Sequence, residues 1–67
     1  MTMAAFTVND MTCGHCAATI TDAVKALDPA GRVAIDLAAK RVTVESAVSA
    51  ERIAAAITRA GFSPVPA

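Results

Sequence analysis

The sequence predicts an α+β sandwich: one four-stranded antiparallel sheet with two helices on one of its faces. Three observations carry this expectation. Short segments alternate apolar and polar residues with the period of a strand; two alanine-rich segments repeat apolar residues at helical spacing; and the segments follow one another as βαββαβ. The chain has 67 residues, which leaves room for a single domain over 1–67 and one thin core.

Residues 4 to 9 form the first expected strand, with Phe6 and Val8 on one side and Thr7 and Asn9 on the other. Asp10 to Gly14 breaks the alternation and reads as a loop. From His15 the period becomes helical: Cys16, Ile20, Ala23, Val24 and Leu27 share one stripe. Lys25 suits the negative end of that helix. Asp28-Pro29 stops it, because a residue before proline is pushed out of the helical region, and Gly31 lets the chain reverse.

Val33, Ile35 and Leu37 alternate with Ala34 and Asp36 as a second strand, and Val42 and Val44 alternate with Arg41, Thr43 and Glu45 as a third. The short 38–40 connection implies a hairpin, although no Gly or Asn marks its turn. Ser49 is the expected N-cap of a second helix, with Glu51 in its positive first turn. Ile53, Ala56, Ile57 and Ala60 form its apolar stripe, and Gly61 is a suitable left-handed terminator. Phe62 to Val65 is the last strand, and Pro64 and Pro66 place it at an edge. This order is the split βαβ, ferredoxin-like arrangement. The sequence shows no internal repeat, linker or low-complexity stretch.

Composition excludes several functions. Six basic and six acidic residues give zero net charge, so there is no electrostatic footprint for DNA or RNA. Two Phe and no Trp or Tyr leave no stacking platform for single strands. No apolar run approaches the roughly 20 residues that cross a bilayer, and the opening MTMAAFTVND lacks the pattern of a secretory signal. The expected location is therefore cytoplasmic, and the chain is not expected to be membrane-embedded. Of the apolar 55%, 17 residues are alanine, so larger side chains fill only a thin layer.

Cys13 and Cys16 are the only cysteines, three positions apart. In a reducing compartment they are not expected to be a structural staple, which leaves a metal site, a redox pair or incidental thiols. Both fall where the first loop enters the first helix. A helix N-terminus there favours thiolate over thiol, and Gly14 lets the loop bend. Structural zinc normally takes four protein ligands. Two thiolates alone suit a soft ion of low coordination, Cu(I) above all, with Hg(II) fitting the same description.

The string Met11-Thr12-Cys13-Gly14-His15-Cys16, after one strand and opening a helix, resembles the metal-binding loop of the heavy-metal-associated domain family. The resemblance extends over the whole chain, through the element order to the Ala60-Gly61-Phe62 stretch before the last strand. Within the family the chain looks most like the small bacterial copper chaperones. The resemblance implies Cys13 and Cys16 as Cu(I) ligands, Met11 as a buried support under the loop, and Phe62 as the residue near the site from the second half. It also implies a partner: the metal-binding domain of a copper-transporting P-type ATPase, which would receive the ion. Many relatives have Gly before the Met, where this chain has Asp10, and Lys or Tyr where it has Phe62. Without charge or hydroxyl at Phe62, the first helix's N-terminus is left to balance the negative bis-thiolate complex.

His15 is a candidate third ligand set against a solvent-facing side chain. Met11 is read as packing before thioether ligand, and Asp10 as a solvated turn residue before carboxylate ligand. Arg52, Arg59 and Lys25 read as a solvated helix face before a docking patch. The expectation is a cytoplasmic copper chaperone, not an enzyme, that binds one Cu(I) and hands it on by ligand exchange. It is expected to be monomeric, with a copper-bridged dimer as an alternative state. The initiator Met and the end just after the last strand favour a free-standing chain. The rival readings are a detached ATPase domain, a mercury or zinc carrier, a small thiol-disulfide oxidoreductase and a purely structural interaction domain.

Overall fold

A computed structural model describes residues 2–67. Its elements run β1 (Thr2–Val8), α1 (Gly14–Leu27), β2 (Arg32–Asp36), β3 (Arg41–Ser46), α2 (Ala50–Arg59) and β4 (Pro64–Pro66). The strands form one sheet in the order β2-β3-β1-β4, with every neighbouring pair antiparallel. The expected βαββαβ order and the edge position of the last strand are both present.

One face of the sheet supplies Ala4, Phe6, Val8, Val42 and Val44 to the core. The helices supply Ile20 and Val24 from α1 and Ile53 and Ile57 from α2. Both helices therefore lie on the same side. Full burial of one such aliphatic side chain stabilises a fold by about 1.5–3 kcal/mol, so this thin layer still dominates the stability of a small domain.

Helix α1 ends at Asp28, whose N–H donates to the Val24 carbonyl. The turn after it closes with the Gly31 N–H on the Asp28 carbonyl at 3.0 Å. Gly31 is not in the left-handed region; its smallness matters instead, because an added Cβ would lie 3.2 Å from that carbonyl oxygen. Ser49 caps α2, accepting from the Arg52 N–H, and Gly61 terminates it at φ +100.

Several details differ from expectation: β1 spans Thr2–Val8 rather than 4–9, and α1 begins at Gly14 rather than at His15. Leu37 is not in β2; it belongs to the turn and is 40% exposed, since the strand ends one residue earlier at Asp36. The hairpin turn is made by Lys40, which takes the left-handed conformation at φ 54 that Gly or Asn would more often occupy. Phe62 and Ser63 precede the last strand: the Phe62 N–H still bonds the Ile57 carbonyl of α2, so pairing with β1 begins only at Pro64.

Among the described residues, the one buried polar side chain is that of Ser46. Its hydroxyl donates to Asp28 Oδ2 and accepts from the Val48 N–H at 3.0 Å. No buried side-chain polar atom among the described residues lacks a partner.

Candidate metal centre

The end of β1 turns sharply. The Met11 N–H returns to the Val8 carbonyl at 3.1 Å, which directs the Met11 side chain inward. Met11 is fully buried and belongs to the core cluster with Val8 and Phe6. The next five residues, Thr12 to Cys16, form the exposed shoulder of the molecule, with only Cys16 half-buried.

Cys13 is the N-cap of α1, with extended dihedrals of φ −152 and ψ 169. Its carbonyl accepts the Ala17 N–H at 3.2 Å, the first bond of the helix, while its side chain caps nothing. Cys16 lies one turn on, and its side chain packs partly against the core. Helical geometry brings residues three apart to one side, and the two Sγ atoms lie 3.2 Å apart. Both thiols are free. The separation is that of a thiol hydrogen bond, far longer than the roughly 2.05 Å of a disulfide.

Hydrogen bonding favours the thiolate at Cys16. The Thr12 backbone, and after it the Cys13 side chain, hold the Cys16 thiol below its ordinary value against the opposing effect of desolvation. No acidic residue sits in the first turn of α1 to offset its positive end.

The other expected site residues are placed differently from one another. His15 is exposed, and its carbonyl accepts the Thr19 hydroxyl at 3.0 Å. Among the described residues, no group of three or more His, Cys, Asp or Glu side chains gathers as a metal cluster, so His15 is not assembled with the cysteines. Phe62 is half-buried against the core, in the loop after α2. That loop is tied to the cysteine loop by Asp10, whose Oδ1 accepts the Ser63 N–H at 3.2 Å. Asp10 is thus engaged in a long-range bond within the chain rather than only solvated.

Two residues escaped the sequence reading. The Thr12 backbone is the foremost influence lowering the Cys16 thiol, a role its position between Met11 and Cys13 did not single out. Lys40, in the hairpin turn, donates from Nζ to the Asn9 carbonyl at 3.0 Å and brings a cation to the end of β1 from which the cysteine loop departs. Its distance of 31 positions from Asn9 hid this from any local pattern.

The donor set fits a soft, low-coordinate ion. Two metal–thiolate bonds of about 2.3 Å in a straight line need sulfurs about 4.6 Å apart. The 3.2 Å pair must therefore open on binding, which an exposed N-cap residue in an extended conformation can do by rotating its side chain. The exposed shoulder leaves room for a third sulfur to approach.

The model of the family described as the heavy-metal-associated domain matches residues 5–63. Among solved structures, a gold-binding protein is 44% identical, with 96% of this chain and 98% of that one covered and a TM-score of 0.92. The copper chaperone Atx1 from Synechocystis PCC6803, in a trimeric copper form, is 36% identical over 91% of this chain and 97% of its own, with a TM-score of 0.89. The yeast copper transporter domain Ccc2a, known in apo and Cu(I)-loaded states, is 27% identical over 97% of this chain and 93% of its own, with a TM-score of 0.85. None of the functionally curated proteins matches the sequence significantly. No helix among the described residues is long and apolar enough to cross a membrane.

Proposed function

Because the chain belongs to the heavy-metal-associated domain family, we propose that it is a copper chaperone in which Cys13 and Cys16 bind Cu(I) and pass it on. The observation that carries this is the pair of free thiols, Cys13 exposed and Cys16 half-buried, whose sulfurs lie 3.2 Å apart at the mouth of α1. The copper chaperone and the copper transporter domain among its structural neighbours support copper as cargo. The whole of 1–67 acts as one unit in this reading, working in the cytoplasm as a carrier without catalytic turnover.

The geometry supports transfer by ligand exchange. Two thiolates hold the ion, and an incoming thiolate from the acceptor adds to give a three-coordinate intermediate. One of the chain's own sulfurs then leaves and takes up a proton. A second exchange completes the handover, so the ion is never released free. Selectivity rests on soft ligands and low coordination rather than on raw affinity. The proposed acceptor is the metal-binding domain of a copper-transporting P-type ATPase, a reading supported by the transporter domain's shared fold. His15 tunes rather than supplies the site, and Met11 and Phe62 support the loop from the core side.

The gold-binding neighbour favours a second reading, in which the cargo is Au(I), equally soft and equally content with two sulfurs. Anaerobic titration of the reduced protein with Cu(I), Au(I) and Zn(II), against a competing chromophoric chelator, separates the two. The copper reading expects one tightly held Cu(I) and subsequent transfer to the ATPase domain. Preference for Au(I), or Zn(II) binding that outcompetes Cu(I), would overturn it.

A further inference from the structure

The sheet face turned away from the helices carries a charge pattern that the metal site does not use. Strand register sets Arg32 beside Glu45 in one row and Asp36 beside Arg41 in another. Between them runs a row of small side chains, Ala34, Thr43 and Ala5. Arg32, Ala34, Asp36 and Arg41 are exposed, and Thr43, Glu45 and Ala5 are half-exposed. Along each of β2 and β3 the sign of the charge reverses from one end to the other.

We infer that this face is self-complementary and pairs with the same face of a second copy. A half-turn about an axis lying along the Ala34–Thr43–Ala5 row reverses the strand direction while keeping each strand over its counterpart. Arg32 then lies over Asp36 of the second copy, and Glu45 over Arg41 of the second copy. The small row meets itself, so the two sheets can close to the roughly 10 Å spacing of packed sheets. A shallow trough of about 180 Å³, bordered by Met3, Arg32, Ala34, Thr43 and Glu45, lies where Arg41 of the second copy would enter. Met3, 66% exposed in the single chain, is covered in the pair.

A two-fold axis gives each contact twice, which is how a symmetric interface doubles a modest complementarity. A half-turn parallel to the strands, between β2 and β3, also opposes unlike charges, but it leaves β1 and β4 without a counterpart and never brings position 41 to position 45. The molecule is only 27 × 21 × 17 Å in extent. One face of it falls at the low end of specific interfaces, so the pair is weak and salt-sensitive. Because the half-turn reverses the strands, the two cysteine loops point to opposite ends. Both stay open to a metal donor or acceptor, which distinguishes this pair from one bridged by metal.

The test is sedimentation velocity on the full chain, reduced and with chelator present, at concentrations up to about 1 mM. The expected result is concentration-dependent dimerisation that weakens as salt rises. Arg41→Glu and Glu45→Arg each place like charges across the axis and should weaken self-association roughly tenfold. Mixing the two variants in equal amounts should restore dimerisation. The carboxylate introduced at position 41 of one chain meets the guanidinium introduced at position 45 of the other only if the axis crosses the strands. Thr43→Arg, which opposes itself on the axis, should be monomeric while retaining the circular dichroism of the native fold. A wild-type chain that stays monomeric at low salt, single variants that associate like wild type, or a mixture that fails to recover would each overturn the inference.

Discussion

Ser63 and Asp10, 53 positions apart, are joined by a 3.2 Å hydrogen bond from the Ser63 N–H to Asp10 Oδ1. It connects the loop leading to the cysteines with the loop that carries Phe62. Asp10→Ala should cost about 1 kcal/mol, the ordinary value of one such bond. Chemical denaturation measures that cost. Faster amide exchange confined to 10–14 and 61–63 would show that it acts by releasing these loops.

The two cysteines should be unequal to His15 in their effect on copper. Cys13→Ser or Cys16→Ser should lower Cu(I) affinity by several orders of magnitude, because a hydroxyl is a hard and mostly protonated donor. His15→Ala should change it far less than either cysteine substitution, since imidazole is not gathered with the sulfurs. Chelator competition reads both.

Met11 separates packing from ligation. It is fully buried in the core, so Met11→Leu, which nearly conserves volume, should cost less than about 1.5 kcal/mol and leave Cu(I) binding intact. Met11→Ala should cost about 2–5 kcal/mol through the cavity it opens. Loss of copper in the Leu variant would make the thioether a ligand instead.

Acid stability should report the Asp28–Ser46 bond. The Ser46 hydroxyl first of all, and the Ala30, Ala47 and Gly31 backbone after it, hold the Asp28 carboxyl below its ordinary value despite desolvation. A carboxyl lowered in the fold contributes stability above its unfolded value near 3.8 and loses that contribution as pH falls through the folded one. Ser46→Ala should therefore lower Tm at neutral pH, and the gap to wild type should narrow on acidification. A gap independent of pH would assign the effect to the Val48 N–H alone.

Much of the fold was legible because local periods and burial agreed. Phe6 and Val8 alternate as they do because they face the helices, and Ile53 and Ile57 are one turn apart because α2 presents one stripe to the sheet. What sequence could not display was long-range geometry. The Asp28–Ser46 bond spans 18 positions, and both residues are ordinary turn formers in isolation. Lys40 in a left-handed turn has no local signature, since lysine carries no preference that marks it. Leu37 continued an apolar alternation past the point where the hairpin had begun to turn, so its pattern promised burial that the turn denied. For the candidate site, the motif placed both cysteines at the helix mouth, whereas the influence of the Thr12 backbone on Cys16 and the Asp10 tie depend on how the loop closes.

Cys13 occupies the one position of α1 where Ser, Asp or Asn would satisfy an orphan N–H, and its sulfur leaves that duty undone. The native chain thus has a helix start less firmly anchored than the backbone permits. Cys13→Ser should raise its melting temperature while abolishing cargo uptake, a divergence between durability and service that locates the trade-off in a single atom.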